Sequence, residues 1–336
     1  CPPRALPCIC IKAIHASEKG NDDAMLKEFK DSMVQEFEMT DLGLMKYFLG
    51  IEVDQREDDV FVSQTKYARD ILAKFSMADC NPEATPVDQS VKLTKEGDGD
   101  LVDSTFYKSI VGSLRYLICT RPDIMYGVGL VSYFSEEPKE SHLQAAKRIL
   151  RYLKGTTDYG LFYSSSSNSE VVGYSDSDWG SSYDRKSITG FVFYLGGSVF
   201  TWSLKKQSAV ALSTCEAEYI AAASCICHAI WLKRLLEVLH IDQKEPMKIY
   251  MDNKSAIALA KNPVHHERSK HIDVRFHFIR EHVKNKDVQL IHVASREQAA
   301  DIFTKPLKND LFIELRRKLG VRALEDASLR GSMLDN

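Results

Sequence analysis

The length of 336 residues predicts two domains with sizeable cores, and a composition of 44% hydrophobic and 27% charged residues is that of an ordinary soluble globular protein. The formal net charge of -3 excludes a uniformly basic nucleic-acid-binding chain but leaves room for local basic patches. No apolar run reaches the roughly 18–20 residues that a membrane span requires, so we expect no membrane contact.

The N-terminal part of the chain predicts a helix, a hairpin and a second helix. Residues 1–23 show neither a signal-peptide pattern nor a periodic element, so we interpret them as an aberrant or disordered N-terminus. Apolar residues at helical spacing then predict a helix over Ala24–Phe37. The runs Lys46–Val53 and Val60–Ser63 flank a charged turn and predict a β-hairpin, after which Gln64–Phe75 returns to the helical period.

The middle of the chain predicts a helical region behind a polar, glycine-rich linker at Lys95–Asp100. Apolar periodicity places its helices over Tyr107–Leu117, Pro122–Phe134 and His142–Leu153. The third helix carries a basic face that includes Arg148 and Arg151. This face either contacts phosphates or is only a solvated helix surface. A serine-rich stretch, 164–168, predicts a flexible link into the last part of the chain.

The last part of the chain predicts a three-stranded antiparallel meander, followed by helices and further strands. The predicted elements are strands Glu170–Tyr174, Ser187–Leu195 and Ser198–Ser203, a helix Thr214–His240, a strand Lys248–Met251, helices Ser255–Ala260 and Ser269–Val283, a strand Val288–Val293 and a final helix Arg296–Lys305. This order describes an α/β fold of the ribonuclease H-like type, a mixed five-stranded sheet with flanking helices.

Four carboxylates stand at the edges of these elements: Asp176, Glu218, Asp252 and Asp301. Acids contributed by four separate segments are what a two-magnesium phosphoryl-transfer site requires. Glu218 lies on an otherwise apolar helix stripe, where a carboxylate is costly unless it is paired or bound to a metal ion.

Other roles for acids in this region remain open. Ser213 and Glu216 fit a capping box, which gives Glu216 a structural function at the helix start. Asp252 could be the N-cap of the helix that follows it. Asp176 and Asp178 lie two residues apart near the end of the first strand, and periodicity leaves Asp178 as an alternative ligand.

Cysteine and histidine spacing gives no clear metal site. The C-x-C pairs Cys8/Cys10 and Cys225/Cys227 have no second pair at metal-ligand distance, so we expect Cys225 and Cys227 to be core residues in a reducing, intracellular setting. Five histidines lie between His265 and His282, and no two have the i, i+4 spacing of a helical metal site. We expect them to face nucleic acid or to be structural.

Ordered motifs along the chain resemble the C-terminal part of a copia-type (Pseudoviridae) LTR retrotransposon Pol polyprotein. The motifs are Tyr47-Phe48-Leu49-Gly50-Ile51-Glu52-Val53, Val111-Gly112-Ser113-Leu114-Arg115-Tyr116-Leu117, Gly173-Tyr174-Ser175-Asp176-Ser177-Asp178-Trp179, Leu212-Ser213-Thr214-Cys215-Glu216-Ala217-Glu218-Tyr219, Asp252-Asn253-Lys254-Ser255-Ala256 and Ala300-Asp301-Ile302-Phe303-Thr304-Lys305-Pro306. The resemblance covers residues 24–310 and implies the end of a reverse transcriptase followed by a ribonuclease H domain.

The resemblance implies a division of the chain into five parts. They are the N-terminus 1–23, a partial reverse transcriptase palm with a primer-grip-like hairpin over 24–95, a helical thumb or connection over 96–168, the ribonuclease H domain over 169–310, and a C-terminal helix and tail over 311–336. The incomplete palm and thumb form an α+β region. The segment Leu6–His15, where the family has its paired-aspartate strand, contains no such pair, so we do not expect polymerase activity.

The implied activity is hydrolysis of the RNA strand of an RNA–DNA hybrid. By the family's pattern Asp176, Glu218, Asp252 and Asp301 are the catalytic residues and bind two Mg²⁺ ions, with Mn²⁺ as an alternative. One ion would activate a water molecule, and the other would stabilise the leaving oxygen. The candidates for contact with nucleic acid are Lys205, Lys206, Lys254, Lys270, Arg275, Arg148 and Arg151.

The expected partners are the hybrid and other parts of the polyprotein, in the cytoplasm, in a particle or in the nucleus, and not outside the cell. Two other functions stay open from the sequence. The chain could be a non-catalytic nucleic-acid-binding remnant, or it could have a host-recruited interaction role.

Overall fold

The computed structural model describes residues 31, 35, 45–56, 59–164, 170–180, 184–238, 241, 243, 245–261 and 273–325. Outside the described residues lie the segment 1–23, most of the helix predicted over Ala24–Phe37, the link 165–168 and the tail beyond Glu325. Lys270 and three of the five histidines also lie outside them.

The first half of the described chain combines short strands with helices. Its elements are β1 (Tyr47–Phe48), β2 (Ile51–Gln55), β3 (Asp59–Ser63), α1 (Thr65–Lys74), α2 (Ser104–Leu117), a 3-10 turn (Pro122–Ile124), α3 (Met125–Ser132), α4 (Glu140–Lys154) and β4 (Tyr159–Ser164). The predicted hairpin and the helices after it are confirmed. The helix α2 begins before the predicted start because the Asp103 carboxylate accepts hydrogen bonds from the amides of Thr105 and Phe106.

The strand predicted over Lys46–Val53 is two strands joined by a tight turn. Leu49 and Gly50 both have positive φ, 47° and 77°, which ends β1 and starts β2. Glycine is suited to such a turn because it has no Cβ. The sequence pattern missed the turn because the residues on both sides of it are apolar.

The second half of the described chain carries the predicted meander and the elements after it. Its elements are β5 (Val171–Asp178), β6 (Ile188–Leu195), β7 (Ser198–Lys206), α5 (Thr214–Val238), β8 (Met247–Met251), α6 (Lys254–Lys261), α7 (Asp273–Lys284), β9 (Val288–His292), 3-10 helices at Ser295–Glu297 and Ala299–Phe303, α8 (Asn309–Lys318) and β10 (Val321–Ala323).

The second sheet has the strand order β7-β6-β5-β8-β9. Strands β5, β6 and β7 are antiparallel, with a turn at Gly196 and Gly197 whose φ values are 54° and 82°. Strand β8 pairs parallel to β5, and β9 pairs parallel to β8. This mixed five-stranded sheet with flanking helices is the predicted ribonuclease H-like fold. It brings the carboxyl ends of β5 and β8 side by side at one edge.

Two strands of the first sheet, β4 and β10, were not predicted from the sequence. The strand order is β1-β2-β3-β4-β10, and each pair of neighbouring strands is antiparallel. The last of them is only three residues long, so it has no readable alternation, and it pairs with β4 through Val321 opposite Leu161. The C-terminal segment therefore returns to the first sheet after the chain has completed the second.

The two sheets share one apolar core. Buried residues of α1 to α4 pack in the same cluster as Val192, Tyr194 and Val199 of the second sheet, and as Phe303 and Phe312 near the C-terminus. A second cluster lies on the other face of that sheet, under α5, α6 and α7. The division proposed at residue 169 therefore separates two sheets that are joined by a common core.

The predicted linker at Lys95–Asp100 folds against the start of α4. The backbone amides of Ser141 and Glu140 donate to the carbonyl oxygens of Asp98 and Asp100, each at 3.1 Å. Gly97 and Gly99 have φ values of 55° and 84°. The two glycines therefore form an ordered turn, and the segment predicted as a linker is packed against α4.

A buried ionic network ties the middle helices to α8. The Arg121 guanidinium contacts the Asp123 carboxylate at 2.8 Å and donates to the Thr156 carbonyl oxygen at 2.7 Å. The Tyr152 hydroxyl donates to Asp123 at 2.6 Å, and Arg316 donates to Tyr152 at 3.0 Å. Because both charges are buried and paired, removing either one leaves the other without a partner.

Helix α5 is long and apolar enough to cross a membrane by length and composition, but over half of its most apolar stretch is buried inside the protein. Glu218 and Lys233 interrupt its apolar sequence, so it holds no uninterrupted apolar run of the length expected for a span. The expectation for its two cysteines is corrected in part. Cys225 is buried as expected, but Cys227 is exposed. Residues two apart on a helix face different sides, so only one of these cysteines faces the sheet.

Candidate active site

Asp176 lies within β5, because this strand continues to pair with β6 as far as Asp178. The predicted end of the strand at Tyr174 was therefore wrong, and the polar residues after it misled the pattern. Asp176 is buried, with 2% of its surface exposed, opposite Gly190 of the neighbouring strand. Asp178 lies at the strand end, outside the carboxylate group described next.

Three of the four predicted acids converge. Asp176, Glu218 and Asp252 each offer a carboxylate oxygen, and these oxygens all lie within 4.8 Å of one another. They come from β5, from the first turns of α5 and from the residue after β8. The fold thus brings together side chains that are up to 76 residues apart in the sequence.

Glu218 holds its place through the backbone of β5. The Ser177 amide donates to Glu218 Oε1 at 3.1 Å. Within the described residues, its other oxygen, Oε2, is buried without a hydrogen-bond partner. A buried carboxylate oxygen without a donor is costly, and a divalent cation at this position would satisfy it. The residues present therefore fit a metal ion.

The capping roles in this region belong to neighbouring residues. The Asn253 side-chain oxygen accepts from the Ala256 amide at 3.0 Å, so Asn253 caps α6 and the capping hypothesis for Asp252 was wrong. Asp252 instead accepts a hydrogen bond from the Ser295 hydroxyl at 3.0 Å. Glu216 has its predicted structural function, since it accepts from the Leu212 amide at 2.9 Å.

Asp301 is buried, but it lies on a short 3-10 helix. The helix predicted over Arg296–Lys305 is interrupted at Gln298, whose backbone is extended. The Gln298 side chain donates to the Ser175 carbonyl oxygen at 3.0 Å and accepts from the Ala300 amide at 3.3 Å. These contacts stop a regular helix and fasten Asp301 beside β5.

Thr304 and Lys305, which follow Asp301 in the chain, complete the site. Neither was given a role from the sequence. The Thr304 hydroxyl donates a hydrogen bond to Asp176. The Lys305 ammonium lies 2.9 Å from Asp301 Oδ1. Both are part of the motif Ala300–Pro306, so the signal was present, but a threonine and a lysine next to a ligand carry no distinctive spacing.

A glycine makes room for this segment. A Cβ on Gly190 would lie 2.7 Å from Thr304 Cγ2 and 2.9 Å from Phe303 Cβ. The missing side chain lets the 3-10 helix rest directly on β6. Thr304 can therefore reach Asp176 on the adjacent strand.

Gln207 is a third residue to which the sequence pattern assigned no role. It is buried after β7, and its Nε2 lies 3.1 Å from Ser177 Oγ, 3.0 Å from Thr189 Oγ1 and 2.9 Å from the Ala217 carbonyl oxygen. It thereby joins β5, β6 and the first turn of α5. A lone glutamine at the end of a strand gives no sequence signal for such a contact.

The site concentrates negative charge in a buried space. Burial, followed by repulsion from Asp176 and Asp252, raises the pKa of Glu218 to about 10. Burial and Asp176 raise the pKa of Asp301 to about 8 although Lys305 opposes the shift. Burial and Asp176 raise the pKa of Asp178 to about 6. Cations are needed to keep Glu218 and Asp301 ionised at neutral pH.

The basic residues proposed for nucleic-acid contact fall into two groups. Arg148 lies 3.4 Å from Glu83 and from Asp88, and Arg151 lies 2.8 Å from Glu83. Lys206 lies 2.8 Å from Asp184. The basic face of α4 thus holds the segment before the glycine-rich turn, an arrangement that neither sequence hypothesis included.

The second group, Lys205, Lys254 and Arg275, forms no ion pair within the part of the chain that the structure describes. Lys205 and Lys254 are exposed, and Arg275 is half-buried. Of the histidines, His282 Nδ1 lies 2.8 Å from Asp287 Oδ2, a contact between the end of α7 and the turn before β9. The phosphate contacts of all these residues stay predictions.

Comparisons with known proteins agree with the motifs of the sequence. The family model described as reverse transcriptase (RNA-dependent DNA polymerase) matches residues 16–89. The Retrovirus-related Pol polyprotein from transposon RE2 of Arabidopsis thaliana is 41% identical over 303 residues, which are 90% of this chain and 21% of that protein. The chain belongs to the copia-type retrotransposon Pol family.

Two further similarities concern shorter proteins. An uncharacterized mitochondrial protein of Arabidopsis thaliana is 39% identical over 63% of this chain and 88% of its own length. The solved structure of LC11-RNase H1 in complex with an RNA/DNA hybrid matches 40% of this chain and 94% of that chain at 15% identity, with a TM-score of 0.31. The chain spans about a fifth of the length of the Pol polyprotein from RE2.

Proposed function

We propose that this copia-type Pol chain is a ribonuclease of the ribonuclease H type, which hydrolyses the RNA strand of RNA–DNA hybrids. One observation carries the proposal: three carboxylate oxygens, from β5, from α5 and from the residue after β8, lie within 4.8 Å of one another. Buried carboxylates are costly unless cations bind them, so such a group favours a metal-dependent function over a structural one.

Asp176, Glu218, Asp252 and Asp301 would hold two divalent ions, Mg²⁺ or Mn²⁺. Such ions activate a water molecule and stabilise the charge that develops on the phosphate and on the leaving oxygen. The protein's own contribution is orientation. The Thr304 hydroxyl and the Ser177 amide fix the carboxylates of Asp176 and Glu218 through hydrogen bonds.

Substrate binding would use charged residues around this edge of the sheet. Lys205 and Lys254 are exposed and can contact phosphates directly. Lys270 and Arg275 are further candidates, whereas Lys206, Arg148 and Arg151 would have to share or release their acidic partners. Recognition of the RNA strand would depend on its 2′-hydroxyl groups in the wide minor groove.

The proposal does not extend to DNA synthesis. The match to the reverse transcriptase model ends at residue 89, and the segment Leu6–His15 contains no paired aspartates. The site that we propose for catalysis lies wholly in the ribonuclease H-like part of the chain.

The experiment is cleavage of a 5′-labelled RNA strand in an RNA–DNA hybrid, with Mg²⁺ or with EDTA. We expect cleavage by the wild-type chain with Mg²⁺ and at least a hundredfold less by Asp252→Asn, an effect on the order of those seen when catalytic groups are removed. Asp310→Asn, which changes an exposed carboxylate at the start of α8, should cleave like the wild type.

Thermal unfolding of each variant checks that the fold is retained. Equal cleavage by the wild type and Asp252→Asn would contradict the proposal, and so would no cleavage by either. Hybrid binding without cleavage would favour the non-catalytic remnant instead.

A further inference from the structure

The fourth acid of the site is paired with a lysine instead of joining the other three. Asp301 is close enough to Asp176 for the Asp176 charge to raise the pKa of the Asp301 carboxyl. Its Oδ1 is 2.9 Å from the Lys305 ammonium, four residues later. The Lys305 amide also donates to the Asp301 carbonyl oxygen at 3.2 Å, so the turn between them is closed. The backbone therefore sets the distance between this acid and this base.

Lys305 faces most of the carboxylate site. Burial opposes its positive charge, but Asp176, Asp301 and Asp252 together hold its pKa above the ordinary value. Within the described residues, the Lys305 ammonium is a positive charge in direct contact with one of these acids. Part of the side chain reaches solvent, since 39% of Lys305 is exposed against 3% of Asp301.

The chemistry of lysine suits a temporary occupant. Its ammonium is a compact single charge on a flexible four-carbon stem. A divalent cation brings twice that charge and binds several oxygen ligands at once. A metal ion that binds Asp301 through Oδ1 must therefore displace the ammonium, and the partly exposed Lys305 side chain has room to turn outward.

We propose that Lys305 is a built-in counter-cation that occupies the Asp301 side of the carboxylate site before metal binds and competes there with a divalent ion. This inference rests on the proposed function, because it requires that the carboxylates bind metal. Lys305 is then a positioning residue. It keeps Asp301 at the site in the metal-free chain, and it weakens the binding of the ion that Asp301 helps to hold.

The test measures Mn²⁺ binding to the full chain without substrate, by isothermal titration at one fixed pH. Lys305→Met keeps the length of the side chain and removes its charge. We expect the weaker of two Mn²⁺ sites to bind about tenfold more tightly in this variant, the size of effect that one neighbouring charge has on a buried acid. Lys305→Arg keeps the charge and should bind Mn²⁺ like the wild type.

The matched control is Lys308→Met, which removes an exposed lysine charge three residues away and should leave Mn²⁺ binding unchanged. Thermal unfolding in EDTA supplies a second readout. Lys305→Met should unfold at a lower temperature than the wild type without metal, and Mn²⁺ should raise its unfolding temperature by more. Lys305→Gln is the neutral substitute if Lys305→Met does not fold.

Two results would overturn the inference. A folded Lys305→Met or Lys305→Gln with unchanged or weaker Mn²⁺ affinity would show that the ammonium does not compete with metal. No Mn²⁺ binding by the wild type itself would remove the metal centre, and with it the proposed function. If the wild type binds Mn²⁺ and the Lys305 variant binds it with unchanged affinity, the inference fails but the proposed function stands.

Discussion

The Thr304 hydroxyl donates a hydrogen bond to the Asp176 carboxylate, 128 residues earlier in the chain. Asp176 needs an oriented carboxylate, because its oxygen is one of the three that converge. A side chain that holds a metal ligand from outside the metal's own coordination shell adjusts both orientation and charge. Thr304 is therefore tied to the function of the site although it carries no charge.

Thr304→Val removes the hydroxyl and keeps the shape of the side chain. We expect hybrid cleavage to fall about 10- to 100-fold, with a higher Mg²⁺ concentration needed for half-maximal rate. The measurement is the cleavage rate across a Mg²⁺ titration. Thr304→Ser retains the donor and should stay near the wild-type rate. Equal Mg²⁺ dependence in Thr304→Val and the wild type would contradict this role.

The sequence predicted most of the second sheet because its elements have strong patterns. Strand β6 is buried along its whole length, and α5 is apolar over many turns. Both elements could therefore be predicted from the sequence alone. Asp252 could also be placed, since it directly follows the short apolar strand β8. Asp252 comes to lie beside Asp176 because β5 and β8 pair in parallel with Tyr174 opposite Tyr250.

The rest of the site depends on contacts that no local pattern encodes. Asp301 is fixed by Gln298, which bonds to Ser175, 123 residues earlier. The ion pairs of Arg148 with Glu83 and Asp88 were invisible for the same reason, since they depend on how an irregular segment lies against α4. The local sequence of a basic helix face is the same whether the face contacts phosphate, water or an acid from a distant part of the chain.

Gln207 should contribute to stability more than an exposed glutamine. Gln207→Leu leaves the buried polar groups of Ser177, Thr189 and Ala217 without this partner, which should cost about 1–3 kcal/mol in the free energy of unfolding. The measurement is urea-induced unfolding followed by circular dichroism. Gln289→Leu, on the exposed side of β9, is the control and should change the free energy by less. A loss no larger than that of the control would argue against the contact.

The Arg121–Asp123 pair predicts a pH-dependent stability. Burial acts to raise the pKa of the Asp123 carboxyl, but Arg121 and Tyr152 hold it below its ordinary value. A carboxyl with a depressed folded-state pKa stabilises the fold above its unfolded-state pKa, near 4, and this stabilisation is lost as the pH falls toward the folded-state value. The pair thus stabilises the chain at neutral pH.

Asp123→Asn should lower the free energy of unfolding by about 3–5 kcal/mol at pH 7, because Arg121 is left buried without its counter-charge. The difference from the wild type should shrink as the pH falls from about 4 toward the depressed folded-state pKa of Asp123, because the unfolded wild-type chain then binds a proton that the folded chain does not. Unfolding by urea at a series of pH values measures it. Asp79→Asn, at an exposed position, serves as the control. A constant difference at all pH values would contradict this account.

Separating the ribonuclease H-like part from the rest should expose a large apolar face. A chain of residues 169–310 lacks α1 to α4, which pack on Val192, Tyr194 and Val199, and it lacks the buried Phe312 of α8. We expect this fragment to bind the dye ANS strongly and to unfold at a lower temperature than the full chain, since burying an aromatic or aliphatic side chain stabilises by about 1.5–3 kcal/mol.

The two chains are compared at equal concentration and pH, with fluorescence and thermal unfolding as the readouts. Replacing Val192 and Val199 by threonine in the fragment should reduce ANS binding, while the same changes in the full chain should destabilise it, because there the hydroxyls are buried in the shared core. A fragment that is as stable as the full chain and binds no dye would mean that the two sheets fold on independent cores.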